Sequence, residues 1–327
     1  MSVLVTGGAG YIGSITTERL IASGERVVVF DDLSTGHRKA IPESATVVMG
    51  NTLDKEALVR VFHDFCVDAV LHFAAFIQVG ESCEDPAKYF RNNVVGTQTV
   101  LDAMRAAGVN RFVFSSTAAV YGNPESVPIT ESAACAPVNP YGLSKRMVEQ
   151  ILEWYDRAYG IKSVALRYFN AAGASKERGE DHYPETHLIP NVLAAARDSS
   201  KSVTVFGTDY NTPDGTCIRD YIHVEDLADA HLAALRYLRN GGRSDAFNLG
   251  TETGVSVLEV IESVRKVTQK EVRVTFSERR PGDAERLVAS SQKARSILGW
   301  QPLKSDIDQI VHDAWEWRNR HPHGYED

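Results

Sequence analysis

Hydrophobic positions in the first half of the chain fall into short unbroken runs, separated by longer segments that are apolar on one side. The longer segments carry their apolar residues at helical spacing, and we predict helices at 11–24, 54–65, 86–107 and 140–159. The short runs predict strands at 2–6, 26–31, 45–50, 68–74, 111–116 and 163–170. Apolar runs without polar alternation, separated by helices, indicate an α/β fold in which helices cover both faces of a parallel sheet.

The pattern loosens after residue 170. Residues 171–187 are polar and irregular, and they read as a connection into a second region. Further elements are predicted as a helix from about 224, a strand at 246–250 that rejoins the first sheet, and an amphipathic helix at 256–269. The predicted domains are a first at 1–170, joined again by parts of 217–250, and a smaller, partly interleaved one at 171–327.

Composition restricts the kinds of partner. The 327 residues are 43% hydrophobic and 24% charged, with a net charge of −8. An acidic chain is a poor candidate for nucleic-acid binding, which depends on Lys and Arg neutralising phosphates. No stretch approaches the ~18 apolar residues of a membrane span, and no signal-peptide pattern is present, so we expect a cytoplasmic protein without a membrane partner. We expect no metal, because zinc-site spacing is absent from Cys66, Cys83, Cys135 and Cys217.

The stretch VLVTGGAGYIGS places Gly7, Gly10 and Gly13 between the first strand and the first helix. Glycines in this context permit a tight turn, a close approach of backbone to pyrophosphate and close packing of helix on strand. The N-terminus of the helix then offers free N–H groups to phosphates. The sequence therefore predicts a Rossmann-type, doubly wound parallel sheet that binds a dinucleotide.

Asp31 ends the second predicted strand, 18 residues after Gly13, and Asp32 follows it. A carboxylate at this place accepts hydrogen bonds from the adenosine ribose and repels a 2′-phosphate. These acids favour NAD over NADP as the cofactor. The alternative is that Asp31 caps a short helix.

Tyr141 and Lys145 lie four residues apart in the segment NPYGLSKRMVEQ, so they share one face of a helix. In a structural interpretation the lysine stem only packs along the ring. In a catalytic one, a nearby ammonium and the positive nicotinamide of NAD⁺ lower the tyrosine pKa, and the phenolate removes a hydroxyl proton. Thr117, in the Ser/Thr cluster that ends the fifth strand, would hydrogen-bond that hydroxyl and relay its proton.

These motifs together resemble the extended short-chain dehydrogenase/reductase family. Later segments narrow the resemblance to the UDP-sugar 4-epimerases of that family. The segments that carry it are LRYFNAAGA (166–174), HLIP (187–190), VFGTDYNTPDGTCIRDYIHVEDLADAH (205–231), RRPGDAERLVASSQKA (279–294) and LGW (298–300).

The resemblance implies that UDP-glucose and UDP-galactose are interconverted at carbon 4. NAD stays bound, takes a hydride from the sugar and returns it to the opposite face of a 4-keto intermediate. Tyr141 would act as the base, Lys145 would tune it, and Thr117 would assist. The implied cofactor residues are Gly7, Gly10, Tyr11, Ile12, Gly13, Asp31, Asp32, Leu33, Ser34, Thr35, Gly36, Asn51, Thr52, Phe73, Ala74, Ala75, Asn92, Ser115, Tyr141, Lys145 and Phe169.

The resemblance also implies a UDP-hexose site, in which Arg219 and Arg280 hold the diphosphate and Asp283 accepts from a ribose hydroxyl. The further implied substrate residues are Thr117, Tyr141, Asn170, His187, Leu188, Thr204, Phe206, Tyr221 and Leu287. The chain departs from the pattern at the adenine-side acid, which is Asn51 here. It departs again at a lysine position that holds Ile77 and at the sugar-size position that holds Leu287, so tolerance of N-acetyl groups stays open.

Other functions remain open from the residues alone. A nucleotide-sugar dehydratase shares the fold but needs an acid directly after the threonine, where Ala118 and Ala119 stand. An NAD-linked alcohol dehydrogenase and a non-catalytic nucleotide-binding regulator are further alternatives. Within the epimerases, the preferred substrate could be UDP-xylose or a UDP-N-acetylhexosamine. By resemblance, helices 86–107 and 140–159 pair across a homodimer.

Overall fold

The computed structural model describes residues 1–280 and 283–326. Pro281 and Gly282, inside the RRPGDAERLVASSQKA motif, and Asp327, the end of the second predicted domain, lie outside the described residues. The described strands are β1 (Ser2–Thr6), β2 (Val27–Asp31), β3 (Thr46–Met49), β4 (Val67–His72), β5 (Arg111–Thr117), β6 (Lys162–Tyr168), β7 (Asn170–Ala172), β8 (Val203–Phe206), β9 (Ile218–Arg219), β10 (Tyr221–His223), β11 (Asp245–Leu249), β12 (Val255–Ser256), β13 (Val274–Ser277) and β14 (Arg286–Leu287).

The helices follow the predicted periodicity in most places. They are α1 (Tyr11–Ala22), α2 (Lys55–Asp64), α3 (Val79–Glu84), α4 (Pro86–Tyr89), α5 (Gly96–Ala107), α6 (Pro140–Tyr159), α7 (Leu188–Arg197), α8 (Val224–Arg239), α9 (Val257–Thr268) and α10 (Ile307–Arg320). The predicted helix at 86–107 is interrupted by a π-helical segment over Phe90–Val95, and α3, α7 and α10 were not predicted from the sequence.

Seven parallel strands form the main sheet in the order β11-β6-β5-β4-β1-β2-β3. This is the doubly wound order, with the reversal between β1 and β4. The predicted parallel α/β fold is therefore confirmed. The predicted return of a late strand is also confirmed, because β11 pairs with β6 from Asp245↔Val164 to Leu249↔Tyr168.

Both faces of the main sheet are buried, which is why its strands read as continuous apolar runs. On β1, Val5 contributes to one cluster, together with Leu235 of α8 and Phe247 of β11. Its neighbour Leu4 contributes to the cluster on the opposite face, together with Leu101 of α5. Successive side chains of a strand point to opposite faces, so one strand serves two cores.

A third cluster lies among the later elements. It joins Val192 of α7, Val205 of β8, Tyr221 of β10, Ile261 of α9 and Ile310 of α10. Short sheets accompany it, namely β7 with β10, β8 with β13, and β9 between β12 and β14. None of the described helices is both long and apolar enough to cross a bilayer.

Candidate active site

The glycine loop is built from backbone contacts that leave no room for side chains. Gly7 has φ of +74°, and a Cβ there would lie 2.4 Å from the amide nitrogen of Ala74. A Cβ on Gly13 would lie 2.1 Å from the carbonyl oxygen of Gly7. The loop therefore packs against the residues after β4 while Gly10 starts α1 without a capping side chain. Without a capping side chain, the backbone N–H groups of the first helical turn are the kind of donors that a phosphate site uses.

The carboxylate of Asp31 joins the glycine loop to the end of β2. Its Oδ2 accepts from the Ala9 N–H and its Oδ1 from the Leu33 N–H, both at 2.9 Å. Burial raises the pKa of this carboxyl. The segment after β2 contacts the glycine loop again at Ala9, whose carbonyl accepts from the His37 N–H at 3.0 Å. The predicted ribose residues 31–36 are thereby placed beside the glycine loop.

Asn51, at the position where the resemblance implied an acid, is hydrogen-bonded at both ends of its side-chain amide. Its Nδ2 donates to Asp32 Oδ2 at 2.6 Å, and its Oδ1 accepts from the Leu53 N–H at 2.9 Å. Thr52 beside it is buried against Gly96 at the start of α5. Residue 51 thus fixes the second acid of the pair instead of adding a third negative charge.

The segment after β4 completes this edge of the sheet. The Phe73 and Ala74 N–H groups both donate to the Thr6 carbonyl, at 2.8 and 3.1 Å, so residues 73–75 follow the strand and do not belong to it. Asn93, missed by the sequence analysis, donates to the Phe76 carbonyl at 3.0 Å and to Ser144 Oγ at 3.1 Å. Its neighbour Asn92 is half-buried and donates to Asn93 Oδ1 at 3.0 Å.

The start of α6 carries Tyr141 to the end of β5. Asn139 caps the helix by accepting from the Gly142 N–H at 2.8 Å, and Pro140 occupies the first turn. A Cβ on Gly142 would lie 2.5 Å from the Ala119 carbonyl, so only glycine allows this close approach. As a result, the hydroxyl of Tyr141 lies near the side chain of Thr117, which acts to lower the tyrosine pKa.

Lys145 reaches the same end of β5 from one turn further along α6. Its Nζ donates to the Ser115 carbonyl at 2.8 Å, and the side chain is buried. The hydroxyl of Ser115 meets that of Tyr168. Tyr141, Lys145, Thr117 and Ser115, which sequence reasoning had assigned to one site, therefore lie together.

Among the protein groups alone, burial raises the pKa of Tyr141, and the nearby side chain of Thr117 opposes that rise. The lowering expected from the lysine ammonium together with the nicotinamide of NAD⁺ stays a prediction. Burial also lowers the pKa of Lys145 to about 7, against the attraction of Glu149. Removing a charge from water disfavours both the phenolate and the ammonium, which explains the direction of both shifts.

Glu149 and Arg167 form a buried pair close to Lys145. Arg167 Nε donates to Glu149 Oε1 at 2.8 Å and Nη2 donates to Oε2 at 2.7 Å. Ser116 Oγ and Arg146 Nη1 also donate to the carboxylate, at 2.7 and 3.0 Å. Sequence reasoning missed the pair. Its one local signal is that Glu149 lies four residues after Lys145, on the helix face of Tyr141.

The predicted phosphate-binding arginines lie near one another around Asp283. Arg280 Nε donates to Asp283 Oδ2 at 2.9 Å, and Arg219 Nη2 lies 3.8 Å from Oδ1. Arg219 also donates to the Ala284 carbonyl at 2.8 Å, while its backbone on β9 is in register with Leu287 on β14. Arg280 lies over the ring of Phe206, 4.9 Å from its centroid.

Further predicted residues, from both the cofactor set and the substrate set, lie on several elements. Phe169 and Leu287 pack against the cluster that contains Tyr121, next to the end of β5. Asn170 Nδ2 donates to the Asp220 carbonyl at 2.9 Å, and its partner across the β7–β10 pair is Tyr221, whose pKa burial raises. Thr204 is exposed on β8 with its Oγ1 3.1 Å from that of Thr275.

His187 and Leu188 occupy the start of α7. Leu188 packs on the cluster that contains Tyr221. The ring of His187 faces two carboxylates, with Nδ1 2.8 Å from both Glu180 Oε1 and Glu185 Oε1. Tyr11, from the glycine loop, lies nearby with its hydroxyl donating to the Gly173 carbonyl at 2.6 Å.

Residues 3–250 match the family described as the NAD dependent epimerase/dehydratase family. The chain belongs to this family. Within it, the chain is similar to a protein of Lacticaseibacillus casei named UDP-glucose 4-epimerase, with 51% identity over 100% of this chain and 99% of that one.

Solved structures agree with this family assignment. UDP-glucose 4-epimerase from Brucella ovis in complex with NAD has a TM-score of 0.93 and 48% identity, covering 96% of this chain and 97% of that one. UDP-glucose 4-epimerase from Bifidobacterium longum in complex with NAD⁺ and UDP has a TM-score of 0.91 and 36% identity, covering 99% and 100%. The glycine loop and the Tyr141–Lys145 pair thus belong to an epimerase/dehydratase framework.

Proposed function

We propose that this chain is an NAD-dependent UDP-glucose 4-epimerase, which reversibly interconverts UDP-glucose and UDP-galactose. The observation that carries the proposal is the convergence of Thr117, Tyr141 and Lys145 at the end of β5, beside a glycine loop that fits a pyrophosphate. Full-length relatives that share half of the residues and bear this name support the same activity.

The residues around the glycine loop fit NAD. In the glycine loop, a Cβ at Gly7 or Gly13 would collide with neighbouring backbone, so only glycine fits at these positions. Asp31 and Asp32 would place negative charge where NADP carries its 2′-phosphate. Lys145 would hold the nicotinamide ribose. The remaining proposed cofactor residues are those of 10–12, 33–36, 51–52 and 73–75 together with Asn92, Ser115 and Phe169. When bound, NAD supplies the acceptor and later the donor of a hydride at carbon 4.

Tyr141 is the proposed acid–base residue that transfers the proton. As the phenolate, its oxygen would take the proton of the sugar 4-hydroxyl as carbon 4 becomes a ketone, and would give that proton back when the alcohol forms again. Thr117, whose side chain lies near that phenol, would hold the sugar hydroxyl and relay its proton. Because burial raises the tyrosine pKa and lowers that of Lys145, positive charge brought next to the phenol is what favours its ionised form.

The UDP part is proposed to bind at the arginine group. Arg219 and Arg280 offer donors in planar forks that match phosphate oxygens, and Asp283 keeps both oriented. The further proposed substrate residues are Asn170, Leu188, Thr204, Phe206, Tyr221 and Leu287. Strong contacts to UDP with few contacts to the sugar would let the 4-keto sugar turn over while the nucleotide stays in place.

The test is incubation of the purified protein with UDP-galactose, without added NAD, and identification of the product by NMR. An epimerase gives a stable mixture with UDP-glucose and no growth of NADH absorbance. A 4-keto-6-deoxy product would replace the proposal by a dehydratase, and accumulating NADH would replace it by a dehydrogenase. Parallel reactions with UDP-xylose and UDP-N-acetylgalactosamine show which sugars the pocket around Leu287 accepts.

We also propose a cytoplasmic homodimer in which residues 1–170 bind NAD and 171–327 bind the UDP-sugar. The unpaired thiols of the chain, two of them exposed, suit a reducing compartment. On α6, Leu143 and Trp154 leave 41% and 65% of their surface exposed, and Val95 before α5 leaves 49%. Apolar surface on adjacent helices favours a partner. Light scattering after size-exclusion chromatography tests this, and a monomer at micromolar concentration would contradict it.

A further inference from the structure

Two histidines and two glutamates converge in the connection between β7 and α7. One ligand-type atom from each of Glu180, His182, Glu185 and His187 lies within 4.8 Å of all the others. His187 Nδ1 is 2.8 Å from Glu180 Oε1 and from Glu185 Oε1, and His182 Nδ1 is 3.3 Å from Glu180 Oε1. Imidazole nitrogens and carboxylate oxygens thus point to one centre.

We propose that Glu180, His182, Glu185 and His187 bind one divalent transition-metal ion, for which Zn²⁺ is the best fit, as a structural site. This departs from the expectation of a protein without metal, which rested on cysteine spacing. The site is separate from the proposed epimerase chemistry, and His187 then acts as a ligand instead of lining the uridine.

The donor set favours zinc over the common hard cations. Zinc binds imidazole nitrogen and carboxylate oxygen, usually with four ligands in a tetrahedron. Calcium takes six to eight oxygen ligands, and magnesium demands six in an octahedron. Two nitrogens and two oxygens satisfy zinc and neither of the others. Four protein ligands also leave no open position for a substrate, which is typical of structural sites.

Ion pairing alone leaves polar atoms of the cluster unsatisfied. Within the described part of the chain, the buried Nδ1 of His182 has no hydrogen bond of acceptable geometry, although it lies 3.3 Å from Glu180 Oε1. The buried Oε2 of Glu185 also has no partner there. The carboxylate of Glu180 is 8% exposed and faces both imidazoles. A cation at the centre would satisfy the nitrogen and stabilise both carboxylates.

The backbone around the ligands is held by contacts from distant parts of the chain. Arg318 of α10 donates to the Glu180 carbonyl at 2.9 Å. Asp181 accepts from the Tyr325 N–H at 2.9 Å, and its carbonyl lies 3.0 Å from His37 Nε2. A metal site gains affinity when its ligands are oriented in advance by such contacts.

The location gives the ion a structural role. His187 directly precedes α7, and the ring of His182 lies edge-on to Tyr11, with centroids 6.4 Å apart. A bound ion would therefore tie the irregular connection to the start of α7 and to the glycine loop. Since metal that binds only the folded state stabilises it, removal of the ion should lower the melting temperature.

The test measures metal in untagged, full-length protein by mass spectrometry, after purification from zinc-containing medium. We expect about one Zn²⁺ per chain, since the four ligands complete one tetrahedral site. His182→Gln and Glu185→Gln should each weaken zinc binding by at least about tenfold, because even loss of an outer partner of a ligand weakens binding 10- to 100-fold. His63→Gln is the matched control, since His63 lies exposed on α2, and it should retain the metal.

The outcomes that would overturn the proposal are distinct. The first is that the wild-type protein binds no stoichiometric zinc after incubation with Zn²⁺. The second is that the two variants keep the wild-type zinc content. The third is that the His63→Gln control loses as much metal as they do, which would mean that the zinc binds adventitiously at the surface. If the variants fail to fold, Co²⁺ is added to the chelator-treated wild-type protein. Visible bands of tetrahedral Co²⁺ support the site, and their absence overturns it. Each readout is independent of epimerase activity.

Discussion

Arg167→Met tests whether the buried Glu149–Arg167 pair stabilises the platform behind the active site. The two side chains are 4% and 6% exposed. The substitution removes the two hydrogen bonds to the carboxylate and a third, from Arg167 Nη1 to the Tyr121 hydroxyl at 2.8 Å. It keeps most of the aliphatic volume of the side chain. Among the described residues, Ser116 and Arg146 then remain as hydrogen-bond donors to Glu149.

The expected loss is about 3–5 kcal/mol of the free energy of unfolding, the usual range when one partner of a buried ion pair is removed. The arginine holds the pKa of the Glu149 carboxyl below its ordinary value despite burial, which raises it. Without that charge, the variant must bury an unpaired carboxylate or protonate it. Arg146→Met is the matched control. Arg146 contacts the same carboxylate but is 25% exposed, so its loss should cost less than ~1 kcal/mol.

Urea unfolding followed by circular dichroism measures these differences. The double variant Glu149→Leu/Arg167→Met should recover much of the loss, because it no longer buries an unpaired charge. A cost for Arg167→Met equal to that of the control would refute the argument. A double variant as unstable as Arg167→Met alone would show that packing, not charge pairing, determines the cost.

Three further predictions concern the proposed active site. Tyr141→Phe should keep bound NAD and reduce turnover of UDP-galactose by roughly 10²–10⁴-fold, the usual contribution of a positioned acid–base group. Tyr159→Phe, at the exposed end of the same helix, is the control and should change neither the bound NAD nor the turnover. Arg219→Ala should raise the Kd for UDP, measured by calorimetry, by roughly 10- to 100-fold, and Arg236→Ala, exposed on α8, should not. Lys145→Met should remove a pH dependence of stability. Burial lowers the lysine pKa from 10.5 to about 7, so between these pH values the unfolded state binds more protons than the folded state. The free energy of unfolding of the wild type should therefore rise with pH, by up to ~1.4 kcal/mol per pH unit relative to the variant.

Each of these predictions has a clear contrary result. Near wild-type turnover of Tyr141→Phe would remove the tyrosine from the chemistry. Unchanged affinity of Arg219→Ala for UDP would place the diphosphate elsewhere. Parallel stability curves for the wild type and Lys145→Met from pH 7 to 9 would mean that the lysine stays charged in the folded protein.

Local geometry made several features readable from the sequence. The order of strand, glycine loop and helix at residues 2–22 depends on a few adjacent backbone angles. The glycines Gly7 and Gly13 therefore predict this order from the sequence alone. The spacing of Tyr141 and Lys145 follows from one helical turn. The parallel sheet could also be predicted, because strands buried on both faces must be apolar throughout. The apolar run at 246–250 also predicted that β11 joins the first sheet, although the sequence did not show which strand it pairs with.

The protonation states and the long-range pairs were decided only by the tertiary structure. Burial raises the pKa of Tyr141 and lowers that of Lys145, because desolvation depends on all neighbouring atoms and not on helical spacing. Glu149 meets Arg167 across 18 residues of chain, a distance at which no periodicity operates. The cluster around Glu180 is close in sequence, but it converges because α10 and the last residues of the chain hold an irregular segment in place. The sequence thus determined the chemistry available to this protein, and packing determined which groups meet and what charge they carry.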